Sequence, residues 1–413
     1  MCINVAGSNV LVIYFVLQQG NTALHIAALT KNAELIDVLA SIRGVDVNQR
    51  NSNGETALYT SARAVDTATA SRLLAAGADV NETRPDDGST PLHCACQDGD
   101  GSVLVSVLLN AGARPDVGRQ SARSGVSGIT PLHDAADVGD AQSVATLLRH
   151  DETLADAVTD RGCTALHVAA RHGYRDIVDQ LLAHNAYVGQ PGADSRGLGV
   201  QPLHLAAENG RVDAVRSLLA VGADTNARRE FCGKTGVSSL HLAVMRGQVD
   251  AVKVLLESGT DVDAADEDGA TSLHVAARGG VADAARLLLQ HGAAVDVVTC
   301  QPRVRRHGGR SSDGLTVGRA FAQTPLHFAV RYRHLYVATV LIAAGSDVNA
   351  AEQTFVDEIV LRRRNSQPQG QYNVASGVVI ANVVSMLTAI MVGGVAQWLV
   401  RRSSAGGLSL MYG

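Results

Sequence analysis

Histidine is the side chain best suited to proton transfer or metal ligation near neutral pH, and this chain places eight of its 14 histidines in the same local setting. His25, His93, His133, His167, His204, His241, His274 and His327 each close a version of the tetrad Thr-Pro-Leu-His. Metal and acid–base chemistry on a helix needs such groups at a spacing like H-E-x-x-H, which turns two rings to one face. These eight recur only with the tetrad, and the other six are scattered without that register. Three further candidates fail on spacing. Gly233-Lys234-Thr235 resembles the end of a phosphate-binding loop, but Arg228 stands where that pattern requires its first glycine. Asp261, Asp263, Asp266, Glu267 and Asp268 are acid-rich without the register of a calcium loop. Asn81-Glu82-Thr83 is a glycosylation sequon, with meaning only in a secreted chain. No catalytic, cofactor-binding or metal-ligating set is read, and the chain is expected not to be an enzyme.

The spacing of the tetrads says more than their chemistry. They begin at Thr22, Thr56, Thr90, Thr130, Thr164, Gln201, Ser238, Thr271 and Thr324, mostly 33 to 40 residues apart. A period near 33 marks a repeat array in which each unit buries its apolar face against its neighbours. Within a unit, Thr is a good helix N-cap, and Pro91, Pro131, Pro202 and Pro325 suit the first helical position, where a missing N–H does no harm. Leu and a pair of Ala then face the neighbouring helix. Gly139, Gly173, Gly210, Gly247 and Gly280 are placed to end the first helix in a left-handed conformation. A second apolar helix follows, as at Val215–Leu219, and closes at Gly77, Gly112, Gly222, Gly259, Gly292 or Gly345. Asp and Asn then form the turn into the next unit.

With stretches such as Thr164-Ala165-Leu166-His167-Val168-Ala169-Ala170 and Thr271-Ser272-Leu273-His274-Val275-Ala276-Ala277, the chain resembles the ankyrin-repeat family over about residues 20–350. The resemblance implies an all-α fold, an ankyrin-repeat α-solenoid of nine repeats built from helix pairs and β-turn fingers. It implies that the tetrad histidines are held by hydrogen bonds near the repeat junctions. It also implies a noncatalytic scaffold or adaptor whose protein partner binds the concave face of fingers and first helices. Other functional classes on this scaffold are a membrane-tethered adaptor, a fragment of a channel or receptor subunit, and the substrate-recognition subunit of a ubiquitin ligase. Repeat two departs from the pattern. It reads Thr56-Ala57-Leu58-Tyr59, without the histidine and without a glycine between its helices. Repeats six and seven open on Gln201 and Ser238, and all three are expected to be places of local fraying.

The extra length of the long repeats lies in the fingers, at Pro115–Gly128, Tyr187–Val200, Ala227–Val237 and Val298–Gln323. Insertions gathered on one edge of a repeat array point to a binding face. Finger charges alternate: Ala293–Gln323 carries Arg303, Arg305, Arg306, Arg310 and Arg319 against Asp296 and Asp313, beside the acidic Gly259–Ala270. The candidate partner-binding residues are Arg228, Arg229, Lys234, Arg303, Arg305, Arg306 and Arg310. A mixed row of this kind suits a protein partner and offers no continuous basic stripe for nucleic acid. The formal charge of −5 points the same way.

Hydrophobic content of 46% with only 3% aromatic residues suits a helical stack filled by small side chains. Six cysteines without a paired framework read as buried free thiols, and the chain is expected to be cytoplasmic. Residues 1–19 form an irregular N-terminal segment whose apolar run Val10–Leu17 lacks the flanks of a secretory signal. It is either an improvised cap or an imperfect gene model. Residues 351–373 read as cap and linker, with Thr354–Arg364 as a short amphipathic helix. Residues 374–413 form an apolar tail. Within it, Val378–Val400 has the length and flanks of a membrane anchor, which keeps a membrane association open. The overlapping stretch Gly393–Leu410 resembles translated tRNA-like or mobile-element sequence, so the tail is equally open to a gene-model artefact.

Overall fold

The computed structural model describes residues 20–299, 320–350 and 353–355. They divide between Gly233 and Lys234 into two compact units. The first holds six helix pairs, from Ala23–Leu29 with Ala33–Ala40 to Pro202–Glu208 with Val212–Ala220. The second holds three, from Ser239–Met245 with Val249–Glu257 to Pro325–Arg331 with Leu335–Ala343. Within each unit, first helices stack on first helices and second helices on second helices.

These helices have six to ten residues, too short to persist alone in water, so their stability comes from stacking. The tetrad leucine is the centre of each layer. Leu58, Leu92, Leu132, Leu166, Leu240 and Leu273 are fully buried, as are Leu73, Leu108, Leu147 and Leu181 of the second helices. Alanines beside them, such as Ala169-Ala170 and Ala276-Ala277, are equally buried and let neighbouring helices approach. The predicted N-caps and N1 prolines stand where the tetrads placed them.

Left-handed residues follow the first helices in every repeat but the third, whose helix ends on right-handed Gln97. Gly139, Gly173 and Gly280 cap them directly, with φ of 86°, 82° and 74°. Where repeats one, two and nine lack that glycine, Lys31, Val65 and Arg333 take the same conformation, at φ of 54°, 48° and 62°. The first helix of repeat two is nevertheless buried along its length from Ala57 to Ala62. Its weak sequence is accommodated by strain at one β-branched residue.

The finger insertions of the first unit are built structure. Gly192–Asp194 and Gly197–Val200 pair as an antiparallel hairpin with a bulge at Gly192/Ala193. Gly197, at φ 155°, packs so tightly that a Cβ there would lie 2.3 Å from the Glu230 carbonyl oxygen, so only glycine fits. In the second unit Ala320–Ala322 pairs antiparallel with Gln353–Phe355. This corrects the expected helix at Thr354–Arg364. Thr354 and Phe355 are strand residues, because an open edge of the last finger takes them as a second strand. The rest of that segment, residues 1–19 and the tail 374–413 lie outside the described residues. Among the described residues no helix is long and apolar enough to cross a membrane, and Val378–Val400 is not among them.

Candidate partner-binding face

The tetrad histidines join the start of each first helix to the chain ahead of it. In repeat five the Thr164 N–H donates to His167 Nδ1 at 3.1 Å, and His167 Nε2–H donates to the Val200 carbonyl at 3.0 Å. The same pair of bonds recurs in repeat three through His93 and Ile129, in repeat four through His133 and Cys163, and in repeat eight through His274 and Gln323. A backbone N–H can only donate and a carbonyl can only accept, so each ring is the neutral Nε2–H tautomer. Burial adds to this. Desolvation lowers His93, His167, His204 and His274 to about 4. In repeat two, Tyr59 replaces the histidine and its hydroxyl meets Ser89 Oγ at 2.9 Å, keeping the link by another route.

A second connection between repeats runs, in four of them, through the residue four beyond Gly44, Gly77, Gly259 or Gly292. Asn48, Asn81, Asp263 and Asp296 accept the backbone N–H of Asp79, Arg114, Ala294 and Asp347, at 2.8 to 3.0 Å. Sequence reasoning treated these Asp and Asn only as turn formers. Their recurrence at one repeat position was the available signal.

The sequence-predicted binding residues separate in the structure. Arg228 is exposed on the strand Arg228–Phe231. Arg229 is turned inward, 2% exposed, with its guanidinium on Asp194 at 2.8 Å and over the Phe231 ring. Alternation along the strand sends neighbours to opposite sides, and the inward one finds a carboxylate from the preceding finger. Lys234 is half-buried and bonded to Asp268, with Asp266 at 3.6 Å. Those acids also build their own turn, where Asp266 accepts the N–H of Asp268 and Ala270. Arg303, Arg305, Arg306 and Arg310 lie outside the described residues.

The thiols divide as well. Cys94 and Cys96 are buried, and desolvation drives Cys94 up to about 12. Cys232 is exposed and Cys163 half-buried, which corrects the expectation of uniformly buried thiols: both sit in fingers, where no helix covers them. Cys2 and Cys300 lie outside the described residues.

Cys163 opens onto a feature the sequence did not show. In the first unit, the fingers and first helices around repeats four to six enclose a groove of about 500 Å³. The hairpin residues Ala193–Arg196 form one wall, and the finger residues Ser121, Ser124 and Val126 another. An ion pair of half-buried Arg119 with buried Asp134 braces the near end at 2.8 Å. Arg196 bonds Glu208 and lies over Phe231, holding the far wall.

A family model described as Ankyrin repeats (3 copies) matches residues 10–84, 64–154, 104–191, 155–229, 203–299 and 240–352. The chain is 38% identical over 115 residues to the human Neurogenic locus notch homolog protein 4, a match covering 28% of this chain and 5% of that protein. It is 30% identical over 145 residues to the human SH3 and multiple ankyrin repeat domains protein 2, covering 35% of this chain and 8% of that protein. It is also 33% identical over 204 residues to the human Transient receptor potential cation channel subfamily A member 1, covering 40% and 18%. The matches span less than one fifth of these relatives. With tetrad, helix pair and finger recurring as described, the chain belongs to the ankyrin-repeat family.

Proposed function

We propose that the chain is a noncatalytic scaffold whose protein partner docks on the fingers and first helices. The observation that carries this reading is the groove of repeats four to six, walled by inserted finger residues and floored by first helices. Insertions that only lengthened loops would have no reason to fold into a bulged hairpin fixed by Gly197 and by the Arg229–Asp194 pair. Exposed Arg228 is a candidate contact in the first unit, and Arg303, Arg305, Arg306 and Arg310, which lie outside the described residues, stay candidates from the sequence. Opposite charges on successive fingers would orient the partner and speed its association. A cytoplasmic, partner-binding array is the resulting picture.

A second reading, a tethered adaptor or part of a channel subunit, draws on the similarity to the human channel protein and on the apolar run Val378–Val400. Membrane association that resists carbonate extraction supports it, and release from the membrane argues against it.

The scaffold reading is tested by site-specific photo-crosslinking of the full chain in cells. A crosslinker at Ser195, on the hairpin, should yield protein adducts, while one at Asp179 or Arg216, exposed on second helices, should not. Adducts confined to the second helices would contradict the reading.

A further inference from the structure

The groove has a chemistry of its own, and this deepens the scaffold reading on which it rests. Four arginines and three aspartates line it, so the lining carries net positive charge. The aspartates are already matched. Asp134 is held by Arg119, and Asp194 by Arg196 and Arg229. Asp137 accepts from His172 Nε2 at 3.0 Å and from Arg171 at 3.4 Å, a bond that engages only Nη2 of that guanidinium. Arg161 differs from the others. It is exposed, and among the described residues it has no ion pair; its guanidinium reaches only the Ser124 carbonyl, at 3.3 Å. Arg161, Cys163 and Arg171 all line the groove. Val126 and Val168, neither fully buried, supply apolar surface within the same lining.

A pair of guanidiniums beside a partly dehydrated apolar floor is a receptor for a carboxylate next to an apolar side chain. The volume lies in the range of clefts that hold a small ligand or a few residues of extended chain. A basic segment would be repelled by Arg161. A nucleic-acid backbone would need a run of cations, and here Arg119 and Arg196 are occupied by carboxylates of this chain.

We propose that this groove binds an extended acidic peptide segment, with one carboxylate between Arg161 and Arg171 and an adjacent apolar side chain on Val126 and Val168. Specificity resides in those two arginines, which carry little of the fold, and half-buried Arg119 and Arg196, paired with buried Asp134 and Glu208, hold the walls in place.

The test is selection of a display library of randomised ten-residue segments against the full chain. Enriched segments should carry Asp or Glu beside an apolar residue. Their affinity should fall about tenfold or more with Arg161→Glu and Arg171→Glu together, the loss expected when charge-assisted bonds become repulsions. Replacing the enriched acid by Lys should restore binding to that double variant. Bound segment should also protect Cys163 from maleimide, read by peptide mass mapping. Unchanged circular dichroism of the double variant shows that its fold is kept, and Arg161→Gln serves as a milder change if it is not. Selected segments that bind the double variant as tightly as the original chain would overturn the groove assignment and leave the scaffold reading standing. Enrichment of basic segments would also overturn the assignment. Failure to enrich any segment, at any surface of the chain, would count against both.

Discussion

Mild acid is the perturbation to which this fold should be most sensitive. Each tetrad histidine accepts a backbone N–H at Nδ1. Protonation would therefore set one donor against another inside the core. Burial lowers His93, His167, His204 and His274 to about 4, whereas an unfolded chain titrates its histidines near ~6.5. The sign follows from linkage. Above pH ~6.5 both states are neutral and stability is at its full value. As pH falls from ~6.5 towards 4 the unfolded chain takes up protons that the folded chain cannot, so stability is lost. Below about 4 both states are protonated and the loss levels off. Each of these histidines contributes on the order of 3 kcal/mol to the full loss, a large share of the stability of an ordinary domain. Half-buried carboxylates held low by their partners, such as Asp194, act at a lower pH, so the two effects separate. The assay is urea unfolding by far-ultraviolet circular dichroism at pH 7.5, 6.5, 5.5 and 5.0, read as the shift of the midpoint. The midpoint should collapse between pH 6.5 and 5. A midpoint flat across that interval would refute the assignment of the neutral tautomer and with it the reasoning from burial.

Three smaller expectations follow. Leu166→Ala should destabilise by about 2–5 kcal/mol, because the side chain is fully buried, while Arg161→Ala in the same repeat should be nearly silent in urea unfolding. Val65→Gly should raise the unfolding midpoint, by roughly 1 kcal/mol, since it relieves a β-branched residue at φ 48°; a fall would mean that the strain is not real. In a maleimide time course on the native chain, Cys232 and Cys163 should label within the folded state, and Cys94 and Cys96 only after unfolding.

What could be read from the sequence was whatever a single repeat specifies locally. The Thr caps, the N1 prolines and Gly139 or Gly173 depend on the backbone of their own helix, so residue type and spacing suffice. Even the replacement of missing glycines follows a local rule, though naming Val65 as the left-handed residue required coordinates. What escaped depends on contacts between fingers. Arg228 and Arg229 are indistinguishable in sequence, yet Asp194 of the preceding finger decides that the second is buried. Cys163 and Cys232 differ from Cys94 and Cys96 only in lying outside the helix stack. The helix expected from Thr354 begins instead as strand at Thr354 and Phe355, because the partner Ala320–Ala322 is distant in sequence. The groove lined by Arg161 and Arg171 exists only once three repeats are assembled.

The central claim, that a protein partner is received on fingers and first helices, is tested most directly by hydrogen–deuterium exchange of the full chain with and without a captured partner. The account predicts slowed exchange in the fingers and first helices of repeats four to six, at residues 117–129, 161–172 and 192–205, and no change in the second helices 175–183 and 212–220. Protection confined to those second helices, with the fingers unchanged, would contradict it.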